Sequence, residues 1–310
     1  MNNFTNIYVT KTDYLDELCR ELGDSTVMGN LVLSSHQKHD VCFALDVWLN
    51  PTLLTFESIS QAVHCLREKG KYWFLNPVEN VRRSRLIEAE LRKLPSLEQN
   101  FPIKESLPAI GCFSLLDKNT LVYSTERWKK PPLGDFRFIE DKYNPPNRAY
   151  LKLWEALSLL ERLPCAGENA IDLGASPGGW TYVMQSLGAR VTAIDKALLE
   201  PRITALPGVQ FLKQSAFAFD PESLAQPIDW LLCDVACYPE RLYPLVIKWI
   251  QSKKAKQMIF TVKLQGETNL AIIQQFQAIP GSRVIHLNQN KHEATFFYPA
   301  PASLFPCFKP

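Results

Sequence analysis

The sequence predicts an α/β protein whose second half is a mainly parallel, doubly wound sheet of Rossmann-like type, preceded by an α+β region. Two observations carry that expectation. From Leu151 onward, short apolar runs alternate with helix-length stretches, the pattern of strands buried on both faces and joined by crossover helices. One of these runs, AIDLG (170–174), feeds directly into a Gly- and Pro-containing turn that opens a helix. With 310 residues and 46% apolar content, the chain has enough material for two full cores.

Taken in order, NIYVT (6–10) reads as a strand, followed by a helix with Tyr14, Leu15, Leu18, Cys19 and Leu22 on one face. Apolar runs lie near 26–34 and 41–49. A helix at about 56–69 stops at Gly70, KYWFL (71–75) is a strand, and 80–94 is a helix bearing Arg82, Arg83, Arg85, Arg92 and Lys93. AIGCFSLL and TLVYS flank Asp117-Lys118-Asn119 as a hairpin. Prolines cluster between Trp128 and Arg148, so residues 1–127 form one domain, 128–148 an ordered linker and 149–310 a second domain. In that second domain, strands are expected at 170–174, 191–195, 209–213, 229–234 and 258–264, with RVIHL and ATFFY at the end. Helices are expected at 151–163, from about 178, at 240–253 and at 268–278.

The net charge of +2 is too small for a global polyanion-binding field, so any such contact must come from local patches. The N-terminal residues lack a secretory pattern and no apolar run is long enough to span a membrane, which predicts a cytoplasmic protein. None of the eight cysteines forms a CxxC pair. No metal site is expected, and Cys233 and Cys237 read as core residues.

The chemistry concentrates in the turn after AIDLG. Gly174, Ala175, Ser176, Pro177, Gly178, Gly179 and Trp180 lie where an open α/β sheet places its ligand, at the carboxyl end of a strand. The glycines let backbone approach a ligand closely, and the next helix offers unpaired N–H groups. Asp195, at the end of the following strand, suits ribose hydroxyls. The spacing Gly174-x-x-x-Gly178-Gly179 is neither the dinucleotide fingerprint nor a P-loop, and Asp172 inside the strand suits a ligand amino group. S-adenosylmethionine has one. Further along, Lys152, Asp234, Lys263 and Glu293 interrupt apolar settings at the ends of neighbouring elements. Each alone has a bland reading, the carboxylates as solvent-facing strand ends, Lys152 as a snorkelling surface residue and Lys263 as a residue just past its strand; their coincidence beside the loop singles them out.

DLGASPGGWT and these four residues resemble the FtsJ-like RNA 2′-O-methyltransferases, which use a Lys-Asp-Lys-Glu tetrad. PLGDFRF, NRAYLKLWEA, WLLCD and HEATFFY extend the similarity over roughly 128–298. It is strongest to the group that acts on large-subunit ribosomal RNA and carries an N-terminal THUMP-type region. The resemblance implies a class I methyltransferase fold, S-adenosylmethionine as cofactor, RNA as partner and Lys152, Asp234, Lys263 and Glu293 as catalytic residues. Ser215 stands where the family has an acidic residue near the adenine. Lys263 is expected to activate the hydroxyl with a pKa lowered by Lys152, while Asp234 and Glu293 hold the lysines in register. Arg82, Arg83, Arg85, Lys129, Lys130 and Arg148 are candidate phosphate contacts; Trp128 and Tyr150 could stack on bases, although core packing is the leading reading of both. The alternatives are a methyltransferase of this fold acting on another RNA, a protein or a small molecule, and a catalytically silent RNA-binding protein. A nicotinamide-dependent oxidoreductase ranks last because of the glycine spacing.

Overall fold

A computed structural model describes residues 4–266 and 268–308. The chain divides into two units, one running to Phe138 and taking in the residues from Phe305, the other spanning Ile139–Leu304.

In the first unit the chain passes through β1 (Asn6–Val9), α1 (Leu15–Leu22), β2 (Thr26–Met28), β3 (Leu31–Ser34), β4 (Asp46–Leu49), β5 (Thr52–Thr55), α2 (Ile59–Lys69) and β6 (Tyr72–Leu75). It continues through α3 (Val81–Glu90), β7 (Glu98–Gln99), β8 (Ile110–Leu115), β9 (Thr120–Ser124), β10 (Glu126–Arg127) and β11 (Arg137–Phe138). These strands form sheets ordered β10-β4-β1-β3-β2 and β5-β9-β8-β6, plus the short pair β11-β7. Ser58 starts α2 by accepting the Gln61 N–H, and Ala62, Val63 and Leu66 pack with Ile87 of α3 against Trp73 and Phe113. The β8–β9 hairpin turns where expected, because one Asp117 oxygen accepts the N–H groups of Asn119 and Thr120 at 2.7 and 2.8 Å. Helix α3 ends four residues short of its expected limit: Leu91 turns extended and is buried in the core. The proline-rich stretch is divided. Up to Phe138 it packs into the first unit, since the buried Asp46 accepts the Lys129 N–H at 3.0 Å and β11 pairs with β7.

The second unit contains α4 (Tyr150–Leu160), β12 (Asn169–Leu173), α5 (Gly179–Ser186), β13 (Arg190–Asp195), α6 (Pro201–Thr204), β14 (Val209–Lys213) and β15 (Ile228–Cys233). After these come α7 (Pro239–Ser252), β16 (Ala255–Lys263), α8 (Leu270–Gln277), β17 (Arg283–Ile285) and β18 (Glu293–Tyr298). The apolar runs become one seven-stranded sheet, ordered β14-β13-β12-β15-β16-β18-β17. Strands β12 to β16 pair in parallel, and β18 runs antiparallel to both neighbours. The chain winds outward from β12 to β14, then returns to the other side of β12 as β15. That reversal opens a crevice beyond the carboxyl ends of β12 and β15, where ligands of such sheets bind.

Candidate active site

Sheet register brings three of the four residues together. Leu173 and Cys233 are partners in the β12–β15 ladder, so Gly174 and Asp234 leave the sheet side by side, with the Asp234 N–H donating to the Leu173 carbonyl. On the next strands Lys263 and Glu293 face each other as the last ladder pair of β16 and β18. Lys152 comes from above, on the first turn of α4, a helix whose residues are nearly all buried.

The four side chains close a ring of alternating charge. Lys152 Nζ lies 2.9 Å from Asp234 Oδ2 and 2.8 Å from Glu293 Oε1. Lys263 Nζ lies 2.6 Å from Asp234 Oδ1 and 2.7 Å from Glu293 Oε2. Lys152 and Glu293 are buried, and Lys263 is the most open member with its side chain 22% exposed. Such a ring compensates each desolvated charge, whereas removing one member strands a buried opposite charge. Burial pushes the Glu293 carboxyl up, but Lys152 and Lys263 outweigh it and hold the group down at about 2. Burial likewise pulls the Lys263 ammonium down, yet Asp234 and Glu293 raise it well above the ordinary lysine value. This corrects the expectation of a lowered pKa: the two carboxylates face Lys263 more closely than any cation does, so at rest it is an ammonium.

The loop after β12 fits the class of ligand inferred for it. Asp172 is buried; its Oδ2 accepts the Thr181 hydroxyl at 2.7 Å, while its Oδ1 has no hydrogen-bond partner. Burial, with a further push from Asp234, raises its carboxyl to about 7 despite the Thr181 hydrogen bond. A ligand amino group would satisfy the orphaned oxygen. Asp195 ends β13 and accepts the N–H groups of Ser176 and Ala197, both at 2.9 Å, which fixes the loop beside it. Ser215 follows β14 at the same edge. The Ser176 hydroxyl donates to the Leu198 carbonyl, and the Pro177 carbonyl accepts the Glu200 N–H.

The glycines also answer to the protein's own packing. Gly174 and Gly178 have φ of +75° and +116°, and a Cβ there would press on Val235 Cα at 2.9 Å or Ile203 Cγ2 at 2.7 Å. Backbone conformation and protein packing thus each require a glycine at both positions. Gly179 is tight for a similar reason, a Cβ there meeting the Asn147 side chain. Trp180 and Ala175 are buried, and the Trp180 indole donates to the Ala149 carbonyl with its ring 5.9 Å from Lys152 Nζ.

Two residues that the sequence did not single out support the ring. Glu155, one turn beyond Lys152 and fully buried, accepts the Asn288 and Gln289 N–H groups at 2.9 and 2.8 Å. Asn290 in the same loop donates to Glu293 Oε1 at 3.4 Å and accepts from Leu287 N and the Thr295 hydroxyl. A charged pair, Lys152 and Glu155, in an otherwise apolar helix was the available signal.

The candidate phosphate contacts separate by exposure. Arg82 and Arg148 are exposed, Arg148 pairing with Glu140 at 2.7 Å. Arg85 pairs with Glu88, Arg83 lies against the Phe56 ring, and Lys130 is exposed. Lys129 is withdrawn from the set, being buried with its ammonium 4.6 Å from the Trp128 ring. Tyr150 is buried edge-on against Trp154, while Trp128 is half-buried. Cys233 and Cys237 are buried free thiols, and among the described residues no helix is long and apolar enough to cross a membrane.

Residues 145–289 match the family model described as FtsJ-like methyltransferase. A protein of Halorhodospira halophila named Ribosomal RNA large subunit methyltransferase M is 40% identical over 135 residues, which cover 43% of this chain and 39% of that one. Its namesake from Thauera aminoaromatica is 32% identical over 170 residues, covering 50% and 46%. The chain thus spans less than half the length of these curated relatives. Among solved structures, the fibrillarin pre-rRNA processing protein of Methanococcus jannaschii matches 59% of this chain and 80% of its own at 17% identity, with a TM-score of 0.37.

Proposed function

We propose, because residues 145–289 match the FtsJ-like methyltransferase model, that this chain moves a methyl group from S-adenosylmethionine to a ribose 2′-hydroxyl of RNA, with large-subunit ribosomal RNA as substrate. The observation that carries the reading is the closed Lys152–Asp234–Lys263–Glu293 ring at the switch point, beside a strand end with an orphaned carboxylate oxygen on Asp172. The names of the curated relatives support ribosomal RNA as the class of substrate.

In this reading Asp172 holds the cofactor amino group, Asp195 its ribose, and Ser215 lies near its adenine. The cofactor supplies a methyl group already activated by a sulfonium. The ring therefore has two tasks, to place the hydroxyl oxygen in line and to take its proton. Lys152 orients, braced by Asp234 and Glu293. Lys263, at the open side of the ring, accepts the proton once it has lost its own. Its ammonium is favoured at rest by both carboxylates, so proton loss is an uphill step that a neighbouring sulfonium charge assists.

The test is direct. Lys263→Ala should bind S-adenosylhomocysteine as wild type does by calorimetry, yet lose about a hundred- to ten-thousandfold in turnover on ribosomal RNA. Lys263→Arg should be nearly as damaging, because arginine keeps the charge and cannot release its proton. Wild-type kcat should climb with pH above neutrality. Normal turnover by Lys263→Arg, or a flat profile, would remove Lys263 as the base.

A further inference from the structure

The loop leaving Asp234 carries a feature that the ring does not use. Val235 to Tyr238 connects the carboxyl end of β15 to α7, so Tyr238 lies four residues from Asp234 and within about 14 Å of it, the reach of an extended chain. Its neighbours Cys237 and Pro239 are both buried, which pins the backbone on either side, and Pro239 opens the helix. Tyr238 itself is 62% exposed. A large aromatic ring thus stands in solvent on a backbone anchored at both flanks. One turn further along, Arg241 is exposed and its guanidinium lies 4.1 Å from the centre of the Phe217 ring. Phe217 follows Ser215 at the carboxyl end of β14, so this cation bridges two connections on the rim of the same crevice.

An isolated exposed tyrosine is ordinary on a protein surface. Here an exposed aromatic ring and an exposed cation lie one helical turn apart on the connection that leaves Asp234, the pair of groups that binds a nucleobase and its phosphate. We infer that Tyr238 and Arg241 form a subsite for the nucleotide flanking the methylated one, in an unpaired RNA strand. The flanking base stacks on the Tyr238 ring and its phosphate meets Arg241. A base inside a duplex cannot offer its face, so the subsite selects single-stranded or looped RNA. This inference rests on the proposal that RNA is the substrate.

The experiment measures anisotropy with a short fluorescein-labelled single-stranded RNA of mixed sequence and with the duplex formed from it. Tyr238→Ala should weaken single-strand binding by roughly tenfold to a hundredfold, the worth of one base on an aromatic ring. Tyr238→Phe should restore it, and duplex binding should not respond to either change. Arg241→Gln should weaken binding and lower the slope of log affinity against log salt by about one. Equal single-strand affinity for wild type and Tyr238→Ala, or equal losses on strand and duplex, would overturn the subsite. A wild-type protein that methylates no ribosomal RNA would instead refute the activity, and the binding comparison would still judge the subsite.

Discussion

Asp172 carries a burial cost that a ligand amino group can relieve. Its folded pKa of about 7 lies above the unfolded value of 3.8, so over that interval the folded chain holds a proton that the unfolded chain has released. The associated stability is complete below about pH 4 and is lost as pH rises through 7. Glu293 works in the opposite sense. Its folded pKa of about 2 lies below the unfolded 4.5, so its contribution is present above 4.5 and vanishes as pH falls through 2. Asp172→Asn should therefore raise the urea midpoint at pH 8 more than at pH 5. It should also weaken S-adenosylhomocysteine binding by about ten- to a hundredfold, because an amide nitrogen would turn toward the ligand amino group and a charge-assisted hydrogen bond would be lost. A substitution that stabilises the protein while costing ligand affinity is the signature expected of a binding carboxylate; calorimetry beside urea titration reads both. If affinity were unchanged, Asp172 would be a packing residue.

At the scale of elements, α4 does two jobs from one face, Lys152 reaching the ring and Glu155 gripping the loop between β17 and β18. Glu155→Ala would leave two loop N–H groups without their acceptor, at about 1–3 kcal/mol each where they stay buried. Amide exchange at Asn288 and Gln289 should speed up, and turnover should fall through the slackened Glu293 while ligand affinity holds. Unchanged exchange at both amides would refute the clamp. The contrast with Lys152 shows what the sequence made legible. The main strands of the second unit were visible because burial on both faces makes them uninterrupted apolar runs. Lys263 and Glu293 were visible because charge at the end of such a run is conspicuous. Glu155 was not, since a glutamate in a helix normally faces water and only the return of a distant loop buries it. Strand β5 was missed for a related reason: Thr52–Thr55 is mostly exposed and has no alternating pattern. The two-residue strands β7, β10 and β11 exist only through their partners. The packing demands on Gly174 and Gly178 were not legible, because a sequence shows where Cβ is missing and not which protein neighbour requires it to be missing.

For the molecule as a whole, the expected boundaries shift at both ends of the second unit. The first unit keeps the chain to Phe138 and recovers it at Phe305. There His39 Nδ1 lies 2.9 Å from the Pro306 carbonyl oxygen, and the Phe308 ring meets the His39 ring edge-on at 4.6 Å. Truncation after Leu304 should destabilise the first unit by about 1–2 kcal/mol, the worth of one hydrogen bond and one aromatic pair. Amide exchange around Lys38 to Val41 should rise, while S-adenosylhomocysteine affinity stays as in the full chain. Equal exchange in both proteins would show the returning segment to be ornamental. The return also imposes a timetable. A ribosome adding about 5–20 residues per second finishes β11 and then takes roughly 10–30 s to deliver the segment that fastens onto His39. Through that interval the nascent first unit must wait with its closing strap still unmade, so its birth begins first and is completed last.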